Sequence, residues 1–394
     1  MRLADVVLDL NMQNWLLPEY IQDMLPDEAW RVEQLRAQLL DLMRKSGYQL
    51  VSPPLLEYAE SLLIGDSPDM DLRTFKLVDQ LSGRTLALRA DITPQVARID
   101  AHLLNRQGVA RLCYAGSVLH TQPAGLNRTR ELLQIGAELY GHAGLESDLE
   151  IQQLMLKSLA LIGVTGVHLD LGHVGVFRAL VNHAGIDKAL EAELFSALQS
   201  KDSTTLQALV QALDEVSRSA LLVLPTLYGN CTDVLARARR ELPDFPEITA
   251  ALDSLQTASG HLKVASIGID LADLRGYHYH SGMVFAAYHA GSHDAIALGG
   301  RYDDLGKSFG RGRAATGFSM DLRQLYRLLP ARAELPGIRA PYHDDVALAA
   351  VIVELRAAGE MVIVDLPGSV DFPAESQCNR SLVLRDGVWQ VVSI

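Results

Sequence analysis

The chain has 394 residues, of which 48% are hydrophobic, so it is long enough for one large domain and a smaller one. Its 48 acidic and 35 basic residues give a formal net charge of −13, which argues against counterion-driven binding to a polyphosphate. No apolar run is long enough to span a membrane, and no basic segment precedes a cleavable apolar one at the N-terminus. We therefore expect a cytoplasmic protein.

The first predicted element is a helix over residues 26–46, where apolar side chains recur at helical spacing between Pro26 and the stop signal Gly47. A short strand over residues 48–51 follows. It is expected to end at Ser52-Pro53-Pro54, because a proline nitrogen cannot donate to a sheet.

Alternating side chains predict a strand over residues 84–89, and Thr93-Pro94 then provides a helix cap and a first helical position. Two further strands are predicted over residues 111–119 and 133–140. A polar loop joins them, so we expect an antiparallel pair.

The middle of the chain is predicted to hold a helical insertion over about residues 181–262, with breaks at Asp202-Ser203 and at 243–246. Strand patterns resume at 264–270 and 277–288, and a last helix is expected near 320–329. These elements indicate an α+β domain over residues 1–330 with a mainly antiparallel sheet.

A small C-terminal domain is predicted over residues 331–394, after a linker marked by Pro330, Pro336 and Pro341. Its expected elements are a helix at 344–357, a strand at 361–366 and a hairpin at Asp386-Gly387. The three cysteines, at 113, 231 and 378, form no C-x-x-C pair, so we expect reduced packing residues.

Four motifs follow one another in an informative order. They are Leu88-Arg-Ala-Asp91-Ile-Thr93, Gln134-Ile-Gly-Ala-Glu138-Leu-Tyr140-Gly, Leu274-Arg275-Gly276-Tyr-His-Tyr279 and Gly299-Gly-Arg301-Tyr-Asp303. Together they resemble histidyl-tRNA synthetase over roughly residues 20–330. The resemblance implies the class II aminoacyl-tRNA synthetase fold, an antiparallel sheet flanked by helices, and dimerisation through the first helix and strand.

The residues of these motifs have the chemistry that an amino-acid pocket requires. A free α-ammonium group needs acceptors such as Asp91, Thr93 and Gln134, and an imidazole needs partners such as Glu138 and Tyr279. The resemblance assigns histidine binding to Asp91, Thr93, Gln134, Glu138, Arg275 and Tyr279. Without it, acidic residues at strand ends are more often solvated or capping groups.

Two positions depart from a working synthetase. The family places arginines on the α- and γ-phosphates of ATP, where this chain has His120 and Gln324. A largely neutral imidazole cannot replace a bidentate guanidinium. Arg323 cannot replace the arginine missing at Gln324, because one residue along a helix rotates a side chain by about 100° from the required direction. We therefore expect no acyl-adenylate chemistry and no catalytic residues, although Arg128 and Arg130 could still hold an anion.

The short C-terminal segment is not basic, so we expect no tRNA binding. The short segment and the missing arginines together make the chain similar to the synthetase-like regulatory subunits of ATP phosphoribosyltransferase. That resemblance implies a short catalytic partner subunit, a hetero-oligomer expected to be a hetero-octamer, self-association as a dimer, and histidine as effector. The alternatives are a degenerate synthetase or related adenylating ligase, and a stand-alone histidine sensor.

A metal site at His278 and His280, with Asp270 and Asp273 nearby in sequence, is a further alternative. Alternating tyrosine and histidine is more typical of a half-buried strand. The sequence therefore predicts neither a metal nor a cofactor.

Overall fold

The computed structural model describes residues 16–63, 68–123, 129–277, 279–330, 336–368 and 378–394. The chain divides into two compact units, Met1–Leu329 and Pro330–Ile394. Among the described residues, no helix combines the length and the apolarity that a bilayer crossing requires.

The first helix, α1, spans Pro26–Lys45 and begins with a proline, whose missing N–H is not needed in a first turn. Acidic side chains lie in its first turn and basic ones in its last, which complements the helix dipole. Gly47 follows with a φ of +89°, the left-handed conformation that ends a helix. Strand β1, Gln49–Leu50, comes next, as the sequence predicted.

A small antiparallel sheet of order β2-β4-β3 follows along the chain. Its strands are β2 Leu56–Tyr58, β3 Lys76–Val78 and β4 Thr85–Leu88, and two short helices, α2 Ala59–Leu62 and α3 Pro68–Arg73, lie between β2 and β3. The predicted strand at 84–89 is thus confirmed as β4.

Nine strands of the described residues form the main sheet, in the order β1-β5-β6-β12-β11-β10-β7-β9-β8. The remaining members are β5 Ala110–Leu119, β6 Glu131–Tyr140, β7 His168–His173, β8 Tyr228–Asn230, β9 Ser266–Asp270, β10 Met283–Tyr288, β11 Ala297–Arg301 and β12 Ala315–Asp321. All neighbours are antiparallel except β1 with β5 and β7 with β9. The predicted α+β class, with a mainly antiparallel sheet, is confirmed.

Helices cover this sheet and extend into the insertion. They are α4 Thr93–Arg98, which continues as a wider turn over Ile99–Leu104, α5 Leu145–Leu161, α6 Val174–His183, α7 Lys188–Gln199, α8 Ser203–Leu209, α9 Glu215–Val223, α10 Cys231–Glu241, α11 Pro246–His261 and α12 Leu322–Leu328. The predicted breaks are confirmed, because Asp202 caps α8 and Pro246 begins α11. The sequence missed β8, a three-residue strand inside the insertion.

Two local predictions in this unit were wrong. The strand expected over 277–288 is formed only by β10, because the backbone N–H groups of Tyr279 and His280 both donate to the carbonyl of Gly276 in a turn. Thr93 is the first residue of α4 and not its cap, which is Ile92. Its hydroxyl instead contacts two carboxylates, Asp91 and Glu138.

The C-terminal unit contains a four-stranded sheet of order β14-β13-β15-β16. Its elements are β13 Gly337–Ala340, α13 Val346–Ala357, β14 Val362–Val364, β15 Cys378–Arg385 and β16 Val388–Ser393. The predicted hairpin is confirmed, since Asp386 and Gly387 both have positive φ, at +49° and +76°. The predicted linker was wrong where β13 lies, because this strand pairs in parallel with both β14 and β15.

Candidate functional site

A cavity of about 1200 Å³ opens on one face of the main sheet. Its described lining includes the six residues expected to bind histidine, together with His120 and Gln324. The alternation of side chains along a strand explains part of this arrangement, because Gln134 and Glu138 lie four residues apart on β6 and so face the same side. Residues from distant parts of the sequence thus meet at one site.

Asp91 lies at the centre of a hydrogen-bond network on one wall. Its Oδ1 accepts from Nε2 of Gln134 at 2.8 Å and from the backbone N–H of Thr93 at 3.1 Å. Gln134 is itself fixed, because its Oε1 accepts from the N–H of Ile92 at 2.9 Å. No described residue donates to Oδ2 of Asp91, so this oxygen can accept a hydrogen bond from a bound ammonium group.

Glu138 lies at the bottom of the cavity and is almost fully buried. Its Oε1 accepts from the hydroxyl of Tyr114 at 3.0 Å and from that of Thr93 at 3.2 Å, and its Oε2 accepts from Tyr302. Burial raises the pKa of Glu138 to about 8, against the opposing effect of the hydrogen bonds from Tyr302 and Tyr114. Near neutral pH this carboxyl can therefore either donate to a ligand or accept from it.

Tyr279 forms another part of the lining, with its ring stacked on Tyr302 at a centroid distance of 5.0 Å. Its buried hydroxyl makes no hydrogen bond to any described residue. His280 meets the ring of Tyr279 edge-on at 5.1 Å and donates from Nδ1 to the carbonyl of Arg275, 3.1 Å away. Burial lowers the pKa of His280 to about 4, so the ring is neutral.

Arg275 lines the cavity but is already paired. Its Nε donates to Oδ1 of Asp273 at 2.7 Å, and Nη2 donates to the second oxygen of the same carboxylate. The guanidinium also lies over the ring of Tyr288, 5.8 Å from its centroid. A ligand at this wall meets an arginine whose charge Asp273 balances.

The two positions that correspond to the lost arginines are both engaged with protein groups. His120 is 4% exposed, and its Nε2 lies 2.9 Å from the carbonyl oxygen of Ala90. The amide nitrogen of Gln324 donates to Oγ of Ser292 at 3.0 Å and to the carbonyl of Ala295 at 3.1 Å. Neither position carries the guanidinium that a synthetase has there.

Arg323 and Arg130 are not among the described lining residues, and both contact other protein groups. Nη2 of Arg323 pairs with Glu131 at 3.4 Å, consistent with its expected rotation away from the site. Nε of Arg130 donates to the carbonyl of His120 at 3.1 Å, and its guanidinium lies over Phe75. Arg128 lies outside the described residues.

Among the lining residues, Arg73 and Tyr302 were missed from the sequence, and so was Tyr114, which supports Glu138, while His280 and Asp273 were considered only for a metal site. Tyr302 follows the Gly-Gly-Arg motif directly, and this position was the available signal for it. Arg301, in the same motif, turns away to pair with buried Asp148 at 2.9 Å. In the part of the chain that the structure describes, no cluster of three or more His, Cys, Asp or Glu side chains could hold a metal ion, and His278 lies outside that part.

Two families of known proteins match this chain, one in each of its two compact units. Residues 20–325 match the family model described as histidyl-tRNA synthetase, and residues 335–392 match the ATP phosphoribosyltransferase subunit HisZ C-terminal domain. A solved histidyl-tRNA synthetase from Nostoc sp. PCC 7120 has a TM-score of 0.76 at 17% identity and covers 96% of this chain and 97% of its own, which shows the shared fold.

Relatives of higher identity share one description. The ATP phosphoribosyltransferase regulatory subunit of Ralstonia nicotianae is 58% identical over 96% of this chain and 98% of its own length. That of Nitrosospira multiformis is 57% identical over 97% and 99%. A solved ATP phosphoribosyltransferase regulatory subunit/histidyl-tRNA synthetase from Bacillus halodurans has a TM-score of 0.80 at 27% identity, over 92% of this chain and 95% of its own. The chain therefore belongs to the family of ATP phosphoribosyltransferase regulatory subunits, non-catalytic chains with the histidyl-tRNA synthetase fold.

Proposed function

We propose that this regulatory chain binds a short-form ATP phosphoribosyltransferase catalytic subunit, supports its joining of ATP to phosphoribosyl pyrophosphate, and transmits inhibition by histidine. One observation carries the proposal. A single cavity combines side chains suited to an amino acid with an imidazole and an amide where a synthetase has arginines. Such a site can recognise histidine without activating it.

The polar groups of the cavity match those of histidine. The ammonium group is assigned to Asp91 and Gln134, and the imidazole to Glu138 and Tyr279. The buried Tyr279 hydroxyl, which makes no hydrogen bond to any described residue, and the buried Glu138 carboxyl both cost free energy unless a ligand binds them. A ligand that makes hydrogen bonds to both groups recovers part of that cost.

The cavity does not meet the needs of adenylation. Attack of a carboxylate on the α-phosphate of ATP places negative charge on phosphate oxygens, which fixed cations must stabilise. His120 is buried against a backbone carbonyl, and the amide of Gln324 is held by Ser292 and Ala295. This supports a regulatory role for the site, and we propose that the chain acts in the cytoplasm beside a biosynthetic enzyme.

The proposed assembly is a hetero-octamer built from dimers of this chain and catalytic subunits. We assign the dimer contact to α1 and β1, in line with the synthetase resemblance. Supporting this, β1 lies at one edge of the main sheet, Leu50 on it is 59% exposed, and Trp30 on α1 is 73% exposed. We propose no tRNA binding, because the chain carries a net charge of −13.

The test is a phosphoribosyltransferase assay of the catalytic subunit with and without this chain, titrated with histidine. The chain should raise the rate, and histidine should lower it again. Glu138→Gln should weaken inhibition by histidine, whereas the matched exposed carboxylate variant Glu193→Gln should behave as the wild type. A rate that ignores the chain would contradict the proposal.

The competing function is that of a degenerate synthetase, which the kept amino-acid side chains favour. Exchange of pyrophosphate into ATP, measured with the isolated chain and histidine, separates the two functions. We expect no exchange above background. Robust exchange would show that the missing arginines are dispensable, and the regulatory proposal would then fail.

A further inference from the structure

One hydroxyl lies between two carboxyl groups that line the cavity. Oγ1 of Thr93 is 3.2 Å from Oδ1 of Asp91 and 3.2 Å from Oε1 of Glu138, and Thr93 is 8% exposed. A hydroxyl carries one hydrogen, so Thr93 can donate to either carboxyl but not to both at once. The hydrogen bonds of one carboxyl therefore depend on those of the other.

The hydrogens around Thr93 show which carboxyl holds a proton. The Tyr114 hydroxyl completes a cluster of four oxygen atoms, 3.2 Å from Oγ1 of Thr93 and 3.0 Å from Oε1 of Glu138. The cluster has four close contacts, but its two hydroxyls supply only two hydrogens, and an ionised Asp91 supplies none. A proton on Glu138 fills one more contact. The geometry thus favours a neutral Glu138 beside a charged Asp91.

The surroundings of the two carboxyls differ in the same direction. Asp91 is partly exposed and accepts from the amide of Gln134 and from a backbone N–H, and both donors stabilise a carboxylate. Glu138 is 1% exposed, and burial disfavours its charged form. The polar groups that face Glu138 are those of Asp91, Thr93, Tyr114, Tyr140, Tyr279 and Tyr302.

We propose that Thr93 couples recognition of a ligand's ammonium group to recognition of its ring, an inference that rests on the proposed function. An ammonium group at Oδ2 of Asp91 brings positive charge to that carboxylate, so the hydrogen of Thr93 can turn to Oε1 of Glu138. Glu138 then accepts from the hydroxyls of Thr93, Tyr114 and Tyr302, which stabilise its ionised form. Its O–H bond breaks, an N–H bond forms on the imidazole, and the imidazolium pairs with the carboxylate.

The coupling makes the site selective for a ligand that carries both an α-ammonium group and a basic ring nitrogen. An imidazole compound without the ammonium group leaves the hydrogen of Thr93 on Asp91. Glu138 then keeps its proton, and the ligand ring stays neutral. Thr93 is a positioning residue in this scheme, because it acts on the ring through Glu138.

The experiment compares histidine with imidazolepropionate, which is histidine without its ammonium group. Both ligands carry ¹⁵N in the ring, and the nitrogen chemical shifts at about pH 7.5 distinguish a bound imidazolium from a neutral imidazole. The free ring, with a pKa of about 6.5, is mostly neutral there. Calorimetry gives the affinities of the full chain, alone and with the catalytic subunit.

The variants separate the hydroxyl of Thr93 from its shape. Thr93→Val keeps the branched shape without the hydroxyl, and Thr93→Ser keeps the hydroxyl. Thr257→Val is the matched control, because Thr257 is exposed on α11 and is not among the described lining residues. Circular dichroism establishes that each variant is folded.

Histidine bound to the wild type should carry an imidazolium ring, and bound imidazolepropionate a neutral one. Thr93→Val should weaken histidine at least about tenfold, leave any bound ring neutral, and weaken imidazolepropionate less than about twofold. Thr93→Ser and Thr257→Val should match the wild type.

A neutral ring on histidine bound to the wild type would overturn the coupling. Equal weakening of the two ligands by Thr93→Val would also contradict it, and so would a Thr93→Ser variant that behaves like Thr93→Val, because shape would then decide. Failure of the wild type to bind histidine, with or without the catalytic subunit, would defeat the proposed function as well.

Discussion

The hydroxyl of Tyr114 lies 3.0 Å from Oε1 of Glu138, and neither side chain is more than 1% exposed. A carboxylate in this position loses its hydration, so burial raises the pKa of Glu138 from an ordinary value of 4.5 to about 8. Between those pH values the folded protein holds a proton that the unfolded chain has released. This difference makes folding depend on pH.

We predict that the contribution of Glu138 to the free energy of unfolding falls as pH rises from about 5 to about 8.5, and that Glu138→Gln removes this fall. A carboxyl whose pKa is raised on folding contributes its full stability at pH values below the pKa that it has in the unfolded chain. That contribution is lost as the pH rises through the pKa that it has in the folded protein. The difference between wild type and variant should change by a few kcal/mol, measured by urea denaturation across this range. Glu193→Gln, the exposed control, should show the wild-type profile, and an identical profile for Glu138→Gln would contradict the prediction.

A second prediction concerns the glycine opposite Glu138. Gly317 on β12 pairs with Glu138 on β6, and a Cβ at this position would overlap Oε2 of that carboxyl. Since Tyr114 and Tyr302 hold Glu138 in place, the carboxyl cannot move without breaking its hydrogen bonds. Gly317→Ala should lower stability by about 1–3 kcal/mol and weaken histidine binding at least about tenfold.

Thermal unfolding and calorimetry check this prediction, with Gly260→Ala as control. Gly260 lies in α11, and a Cβ there meets no other atom within 4 Å. The control should therefore be neutral or stabilising by up to about 1 kcal/mol, since alanine restricts the unfolded chain. Wild-type histidine affinity in Gly317→Ala would show that Glu138 is not where the ligand binds.

The sequence predicted the elements whose patterns are long and regular. The helix at 26–46 and the strand pair at 111–119 and 133–140 have enough apolar positions to define a period, and all three are present. Strand β13 could not be recognised, because four residues between two prolines are too few to define a period. Its pairing depends on β14 and β15, which lie far along the chain.

The site was predictable to the extent that its residues belong to motifs. Six side chains named from those motifs line one cavity. Arg73 was not predictable, because it ends a six-residue helix without a marked pattern and meets His120 across 47 residues of chain. The state of the Tyr279 hydroxyl, which makes no hydrogen bond to any described residue, was equally unpredictable, since hydrogen-bond partners are a property of the packed structure.

A third prediction tests whether Arg301, in the Gly-Gly-Arg motif, stabilises the fold and does not bind the ligand. Arg301 and Asp148 form a pair with side chains 9% and 6% exposed, and Arg301 also donates to the hydroxyl of Ser147 at 2.8 Å. Burial raises the pKa of Asp148, and the charge of Arg301 opposes that rise. Arg301→Met should therefore destabilise the fold by about 3–5 kcal/mol, because it leaves a buried carboxyl without its partner.

Chemical denaturation measures this loss, with Lys307→Met as the control. Lys307 pairs with Asp304 at the surface, where the two side chains are 67% and 69% exposed. Water screens such a pair, so its removal should cost no more than about 0.5 kcal/mol. If the two substitutions have equal effects, Arg301 is not a structural anchor.

The last prediction concerns the thiols. Cys113 lies on β5 with 1% of its surface exposed, and burial raises its pKa to about 11, whereas Cys231 is only partly buried. The thiolate is the reactive form, so both low access and a high pKa slow the alkylation of Cys113. Mass spectrometry after timed treatment with iodoacetamide should show Cys231 modified in the native protein and Cys113 modified only after denaturation. Because Cys113 pairs across the sheet with Ala137, next to Glu138, early labelling would mean that the sheet opens locally at the base of the cavity.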